Sequence, residues 1–163
     1  HAALWYIMAL IKAGYSDRAY EYYSMINPIN RTITKNKTDI YKVEPYVMAA
    51  DIYSNSEFKG RGGWTWYTGS ASWAYKIAIE DILGFNKSGD LLTINPNINS
   101  KWKEFDITYR YLDTTYKIHV NNEYNVSSGV KDILLDNKKA NKIYLVNDKK
   151  EHIIVVNMGG NND

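Results

Sequence analysis

The rhythm of the apolar residues changes once along this chain, near residue 85, and that change limits the possible folds more than any other feature. Before it the pattern is helical. His1 to Ala13 is apolar nearly all round, as in a helix buried on several sides. Gly14 is placed to close that helix in a left-handed conformation. Ser16 can cap a second helix, with Asp17 favourable at the positive end of its dipole. Asn27-Pro28 should stop it after about Ile26, because the residue before proline avoids helical backbone. Pro45 suits the first turn of a third helix running through about Ile52. A fourth is expected from near Ser70 to Leu83-Gly84.

From about residue 90 the period falls to two. Leu91 to Ile94, Phe105 to Tyr111 and Thr115 to Val120 alternate apolar and polar residues, which is strand patterning. Val130 to Leu135, Lys142 to Val146 and His152 to Asn157 are further candidates. Leu112-Asp113-Thr114 and Asn147 to Lys150 resemble hairpin turns, and Lys138-Lys139 and Lys149-Lys150 look like turn charges. The reading is an α+β chain of two parts: helices over 1–85 and an antiparallel β-sandwich over 90–160, joined by a polar segment at 85–90. The Gly159-to-Asp163 tail is the one stretch expected to be disordered.

Composition removes several functions. The charge of +2 is spread over both signs, without the basic stripe of a nucleic-acid binder. With no cysteine there is neither a disulfide framework nor a thiolate metal site. The apolar opening, Ala2 to Ala13, is too short to span a bilayer. His119 and His152 lie in strand patterns with no second ligand at metal spacing. The chain opens at His1, directly into a helical run, and this predicts an excised piece of a longer protein.

Chemistry concentrates between Gly60 and Trp73. Gly60, Gly62 and Gly63 around Arg61 allow a sharp turn or a close backbone approach to a ligand. Trp64, Trp66, Tyr67 and Trp73 supply flat faces that suit the C–H surfaces of a pyranose. Thr68-Gly69-Ser70 falls where the fourth helix should begin, and a helix N-terminus is a ready anion site. The blander reading is equally open: the aromatics are core and Thr-Gly-Ser is a cap. Glu44, just before Pro45, fits a cap better than a catalytic acid, and Asp51 and Glu80 fit solvated or paired positions on helices.

At this segment the sequence resembles glycoside hydrolase family ninety-four. The resemblance is carried by Tyr41 to Tyr53, Gly60 to Trp73 and Ile82-Leu83-Gly84, with His1 to Trp5, Asn27 to Asn30, Phe105 to Tyr111 and Tyr116 to Val120 in support. It covers nearly the whole chain. Within the family the wording Trp64-Thr-Trp-Tyr-Thr-Gly-Ser-Ala71 is most similar to the cyclic β-1,2-glucan synthase branch.

The resemblance implies that residues 1–85 are the last helices of an (α/α)6 catalytic barrel and that 90–160 are its C-terminal β-domain. It implies an inverting phosphorolysis of β-glucosidic bonds that yields α-glucose 1-phosphate. One carboxylic acid protonates the leaving oxygen, and phosphate replaces the base-activated water. The family's phosphate contacts fall on His1, Thr68 and Gly69, and the sugar contacts on Trp66, Tyr67, Arg61 and Glu44. Its general acid, an aspartate, lies upstream of these motifs, so the fragment alone is expected to be inactive. No cofactor is implied; inorganic phosphate is the co-substrate and a β-linked glucan the partner. Apolar surface is expected where further helices would pack, with a tendency to self-associate. Ala50 stands where disaccharide phosphorylases carry a sugar-contacting glutamine, which points away from cellobiose and chitobiose. Two other functions stay open: a non-catalytic carbohydrate-binding or scaffold module, and a hydrolase that uses water. A phosphate cradle would have no task in the hydrolase.

Overall fold

The computed structural model describes residues 1–160; the expectation for the tail lies partly outside them, at 161–163. The chain is α+β and divides into two compact units, 1–78 and 79–163.

In the first unit, α1 (Ala2–Lys12) buries Leu4, Ile7 and Ile11, the three- and four-residue spacing of one helix face. Its end is a Schellman closure: Gly14 has φ +84°, its N–H reaches the Ile11 carbonyl at 3.0 Å, and the Tyr15 N–H reaches Leu10 at 2.9 Å. The second helix, α2 (Ser16–Ile26), starts one residue earlier than a Ser16 cap allows. Tyr15 holds the cap position, and Ser16 is buried in the first turn. Asn27 has the extended backbone that Pro28 demands, and its side chain caps α3 (Pro28–Arg31) by accepting from the Ile29 N–H. Asn30 and Arg31 then donate to the Ser24 and Met25 carbonyls, satisfying acceptors that the end of α2 leaves free.

Two expectations fail here. Sequence periodicity misses α4 (Lys35–Tyr41), because Lys-Asn-Lys-Thr-Asp carries no apolar stripe; Thr34 caps it through the Lys37 N–H. The helix expected from Pro45 to Ile52 does not form. Glu44 to Val47 is a turn with Pro45 at its second position, which requires the same backbone φ as a first helical turn. The apolar spacing of Val43 and Val47 serves a small cluster with Tyr41, against which Ala49 and Ile52 pack. The helix read as starting at Ser70 begins two residues earlier, as α5 (Thr68–Lys76), and its last stretch, Ile77–Ile82, is a π-helix.

In the second unit, β1 (Phe85–Ser88), β2 (Leu91–Ile94) and β7 (Ile143–Tyr144) form one sheet in that order. The expected join at 85–90 is therefore a strand and a hairpin, turned at Gly89 with φ +63°. A second sheet has the order β3 (Glu104–Tyr111), β4 (Thr114–Asn121), β8 (Glu151–Met158), β5 (Val130–Leu135) and β6 (Lys138–Lys139). The purely antiparallel arrangement is corrected by β8, which runs parallel to β4 and antiparallel to β5. Leu112-Asp113 is a hairpin turn as expected, closed by the Tyr111–Thr114 pair. Asn147 to Lys150 is not, because β7 and β8 belong to different sheets. Lys138-Lys139 is a short edge strand rather than a turn. Tyr116, Ile118, Val120, Ile154, Val156 and Met158 form the buried side of the five-stranded sheet.

His152 fastens three connections in this unit. Its Nδ1 lies 2.6 Å from Asp136, its Nε2 3.2 Å from Asp148, and its ring stacks on Tyr116 at 5.2 Å. Thr114 accepts the N–H groups of Asp148 and Lys149, both at 2.9 Å. The Asp136 hydrogen bond, followed by Asp148, raises the His152 pKa, despite partial desolvation. The Ile153 N–H first, and His152 second, lower that of Asp136. His119, beside Asp106 and Asn121, is also raised.

The raised histidine contributes stability that is complete below its unfolded pKa of about 6.5 and is lost as pH climbs through its folded value. The lowered aspartate contributes above about pH 3.9 and fails only as pH falls through its folded value. Calorimetry should therefore find the second unit melting a few degrees higher at pH 6 than at pH 8.5. His152→Gln should remove most of that difference, leaving a remainder from His119. Equal melting temperatures in the unmutated chain would contradict the assignment.

Candidate functional site

The site grows from the pairing of two irregular segments in the first unit. The Tyr67 N–H donates to Met48, the Ala50 N–H to Trp64, the Gly63 N–H to Asp51 and the Tyr53 N–H to Arg61. These bonds use the backbone groups of Met48 to Tyr53 that a helix would have used internally. Glycine permits the approach: a Cβ on Gly62 would strike Val43 and Tyr41, and one on Gly63 would strike the Asp51 carboxylate. The glycines around Arg61 thus bring the chain close to itself.

Trp66 sits between two pinned neighbours and has φ +61°, a left-handed backbone that a bulky residue adopts at a cost of about 1–3 kcal/mol. Its ring is 61% exposed, with the Tyr46 ring edge-on at 6.1 Å. Trp64 and Tyr67 are exposed as well. Trp73 is not part of that surface; it packs edge-on against Trp5 at 5.8 Å. Arg61 lies with its guanidinium 5.7 Å from the Phe58 ring, and Glu44 is half-buried in the turn that carries Pro45.

Tyr67 is the N-cap of α5, so Thr68, Gly69 and Ser70 form its first turn. The first main-chain bond of the helix runs from Ala71 to Tyr67 at 2.9 Å. Among the described residues, the N–H groups of Thr68, Gly69 and Ser70 have no backbone acceptor. His1 lies directly over this turn although it is 68 positions from Gly69: a Cβ on Gly69 would stand 2.9 Å from its Cε1 and 3.0 Å from its Nε2. Its Nδ1 is 3.2 Å from Ser70 Oγ, and Trp5 supports the ring edge-on at 6.1 Å. A cleft of about 210 Å³ opens beside them, with His1, Ser70, Asp51, Ala50, Met48 and Tyr41 in its wall.

Free N–H groups, the positive end of a helix and an imidazole around one turn make a place for a tetrahedral oxyanion. The structure brings His1, Gly69 and Ser70 together, with Thr68 adjacent. Glu44, Arg61, Trp66, Tyr67, Thr68 and Gly69 do not line the cleft. Sequence reasoning missed two of its residues. Asp51, expected in a solvated or paired position on a helix, stands instead in the cleft wall, and Ser70 is expected only as part of a helix start. The sole signal for Ser70 was a small polar residue where a helix begins, which is common to most caps. Among the described residues, no group of histidine, aspartate and glutamate could hold a metal ion.

The family model for the glycosyl hydrolase 94 superfamily, catalytic domain, matches residues 1–84. The cyclic beta-(1,2)-glucan synthase NdvB of Rhizobium meliloti (strain 1021) is 42% identical over 123 residues, 76% of this chain and 4% of that protein. An N,N'-diacetylchitobiose phosphorylase of Vibrio furnissii is 32% identical over 161 residues, 98% of this chain and 20% of that enzyme. A solabiose phosphorylase of Paenibacillus borealis is 27% identical over 161 residues, 97% of this chain and 21% of that enzyme. The chain therefore spans about a fifth or less of the length of these relatives.

The contact at Gly69 can be tested directly. Gly69→Ala should leave stability nearly unchanged, since the about 1 kcal/mol by which a helix favours alanine over glycine is offset by loss of the buried Ser70 bond, about 0.5–1.5 kcal/mol. The added methyl should nonetheless displace the imidazole, changing the NMR signals of the His1 ring and breaking its bond to Ser70. Unchanged ring signals would mean that His1 does not rest on this turn.

Proposed function

This chain belongs to the glycosyl hydrolase 94 superfamily, and on that premise we propose that it is the C-terminal part of an inverting phosphorolytic enzyme of β-linked glucans, with the phosphate-binding wall in its first unit. The observation that carries this reading is the position of His1 over Gly69 at the open first turn of α5. Phosphate bound there would take hydrogen bonds from the free N–H groups, from the Thr68 hydroxyl and from the imidazole. The names of the relatives, a cyclic beta-(1,2)-glucan synthase and phosphorylases of N,N'-diacetylchitobiose and solabiose, support a saccharide and phosphate as substrates.

In this reading phosphate attacks the anomeric carbon from the face opposite the scissile bond. A carboxylic acid supplied by the rest of the barrel protonates the departing oxygen, and the product is α-glucose 1-phosphate. The chain's own residues orient the nucleophile and balance its charge. Trp66 and Tyr67, with Arg61 and Glu44, belong to the sugar side of the same proposal. A tryptophan held outward in a strained backbone conformation fits a ring platform for a pyranose. The exposed Trp5, Tyr6, Tyr15 and Tyr75 fit surface that other helices of an (α/α)6 barrel would cover. The site needs no cofactor beyond inorganic phosphate.

The 163-residue chain by itself should release no glucose 1-phosphate from β-1,2-, β-1,3- or β-1,4-linked glucans, because the proton donor of this scheme lies elsewhere in the parent. In the parent protein, Thr68→Val keeps the shape of the side chain and removes the hydroxyl. A hydrogen bond to a charged group is worth about 1.5–3 kcal/mol, so KM for phosphate should rise roughly tenfold or more while glucan affinity holds. Steady-state kinetics with each substrate varied in turn decide the matter. Unaltered phosphate kinetics with weakened glucan binding would make this segment a sugar platform only.

A further inference from the structure

Ser70 is 3% exposed, and its hydroxyl has two partners, both on His1. The main-chain nitrogen of His1 lies 3.3 Å from Oγ, and the ring Nδ1 lies 3.2 Å from it. A hydroxyl offers one hydrogen and two lone pairs. The main-chain nitrogen, a terminal amine in this chain, donates, so Oγ accepts from it. Two arrangements remain for the ring. If Nδ1 carried the hydrogen and donated, the Ser70 hydrogen would be left without an acceptor in a buried position, since this hydroxyl has no other partner among the described residues. If the hydroxyl donates to Nδ1, its hydrogen and a lone pair of Oγ are both used.

The second arrangement leaves the hydrogen on Nε2, and Nε2 is the ring nitrogen against Gly69. We infer that Ser70 is a positioning residue that holds the neutral His1 imidazole in its Nε2–H form, so that the ring presents a donor and not a lone pair to an anion at the first turn of α5. This rests on the phosphate reading above and deepens it. A phosphate oxygen is attracted by an N–H and repelled by an imidazole lone pair. With Ser70 in place the site accepts phosphate with the ring uncharged. Without it the neutral ring can turn and exchange tautomers, so holding Nε2–H toward the anion costs binding energy, whereas the protonated ring carries a donor on both nitrogens. Loss of Ser70 should therefore make phosphate affinity fall off more steeply as pH rises above the ordinary histidine range.

Two measurements test this. In the 163-residue chain with 15N-labelled histidine at pH 8, ring nitrogen shifts should give Nε2–H as the dominant form of His1 in the unmutated protein and a mixture in Ser70→Ala. An Nδ1–H ring, or a tautomer ratio untouched by Ser70→Ala, overturns the assignment. In the parent protein, Ser70→Ala should raise KM for inorganic phosphate by roughly threefold to tenfold at pH 8, with a smaller change at pH 6. Turnover at saturating phosphate should be retained, and Ser70→Thr, which keeps the hydroxyl, should restore the pH profile. An equal loss at both pH values would mark Ser70 as merely structural and overturn the proposal. Should the unmutated parent turn over without any dependence on phosphate, the phosphate reading fails and the anion's part in this inference with it. The tautomer ratio still decides separately whether Ser70 holds the ring.

Discussion

Everything around the candidate site depends on a backbone approach that only glycine allows. Met48 to Tyr53 can pair with Arg61 to Tyr67 because Gly62 and Gly63 place no Cβ where Val43, Tyr41 and the Asp51 carboxylate already stand. That pairing has three consequences. It withdraws residues 48–53 from helix formation and sets Ala50 and Asp51 into a cleft wall. It pins Trp64 and Tyr67 on either side of the exposed Trp66. And it fixes the point at which α5 starts, because its N-cap, Tyr67, is itself bonded to Met48. The open first turn over which His1 lies is thus set by packing some distance back along the chain.

The fold was legible where local rules govern and illegible where distant groups compete. Alternation placed six of the eight strands, and Gly14 and Asn27-Pro28 marked real helix ends. The failures have identifiable physics. Pro45 fits a helix start and a turn equally, and only the partners of residues 48–53, among Arg61 to Tyr67, decide between them. The polar face of α4 gives no periodic signal, since its stability comes from a threonine cap and from Tyr41 at its end. The parallel pairing of β4 with β8 joins residues 36 apart and leaves no mark on either strand's own pattern.

The site divides in the same way. Residue types announced it: a helix start with Thr-Gly-Ser beside a run of aromatics next to glycines. Which of these residues meet was not readable. His1 reaches Gly69 across most of the first unit, and the aromatic run separates, with Trp73 turned to Trp5 and Trp66 to the solvent. Ser70 stood in plain view within the motif, but its importance lies in a bond to a ring 69 positions away.

The central place of β8 in its sheet bears on how the second unit is made. The strand lies between β4 and β5, yet it is the last of the eight in sequence. During synthesis β3 and β4 can zip as a hairpin as soon as they emerge, whereas β5 has no partner on its inner side until β8 arrives. Until then two strand edges that will become neighbours stay open, and such edges pair readily with other chains. Completion of this sheet is a long-range event, so nascent chains carry a pair of open strand edges until β8 leaves the ribosome.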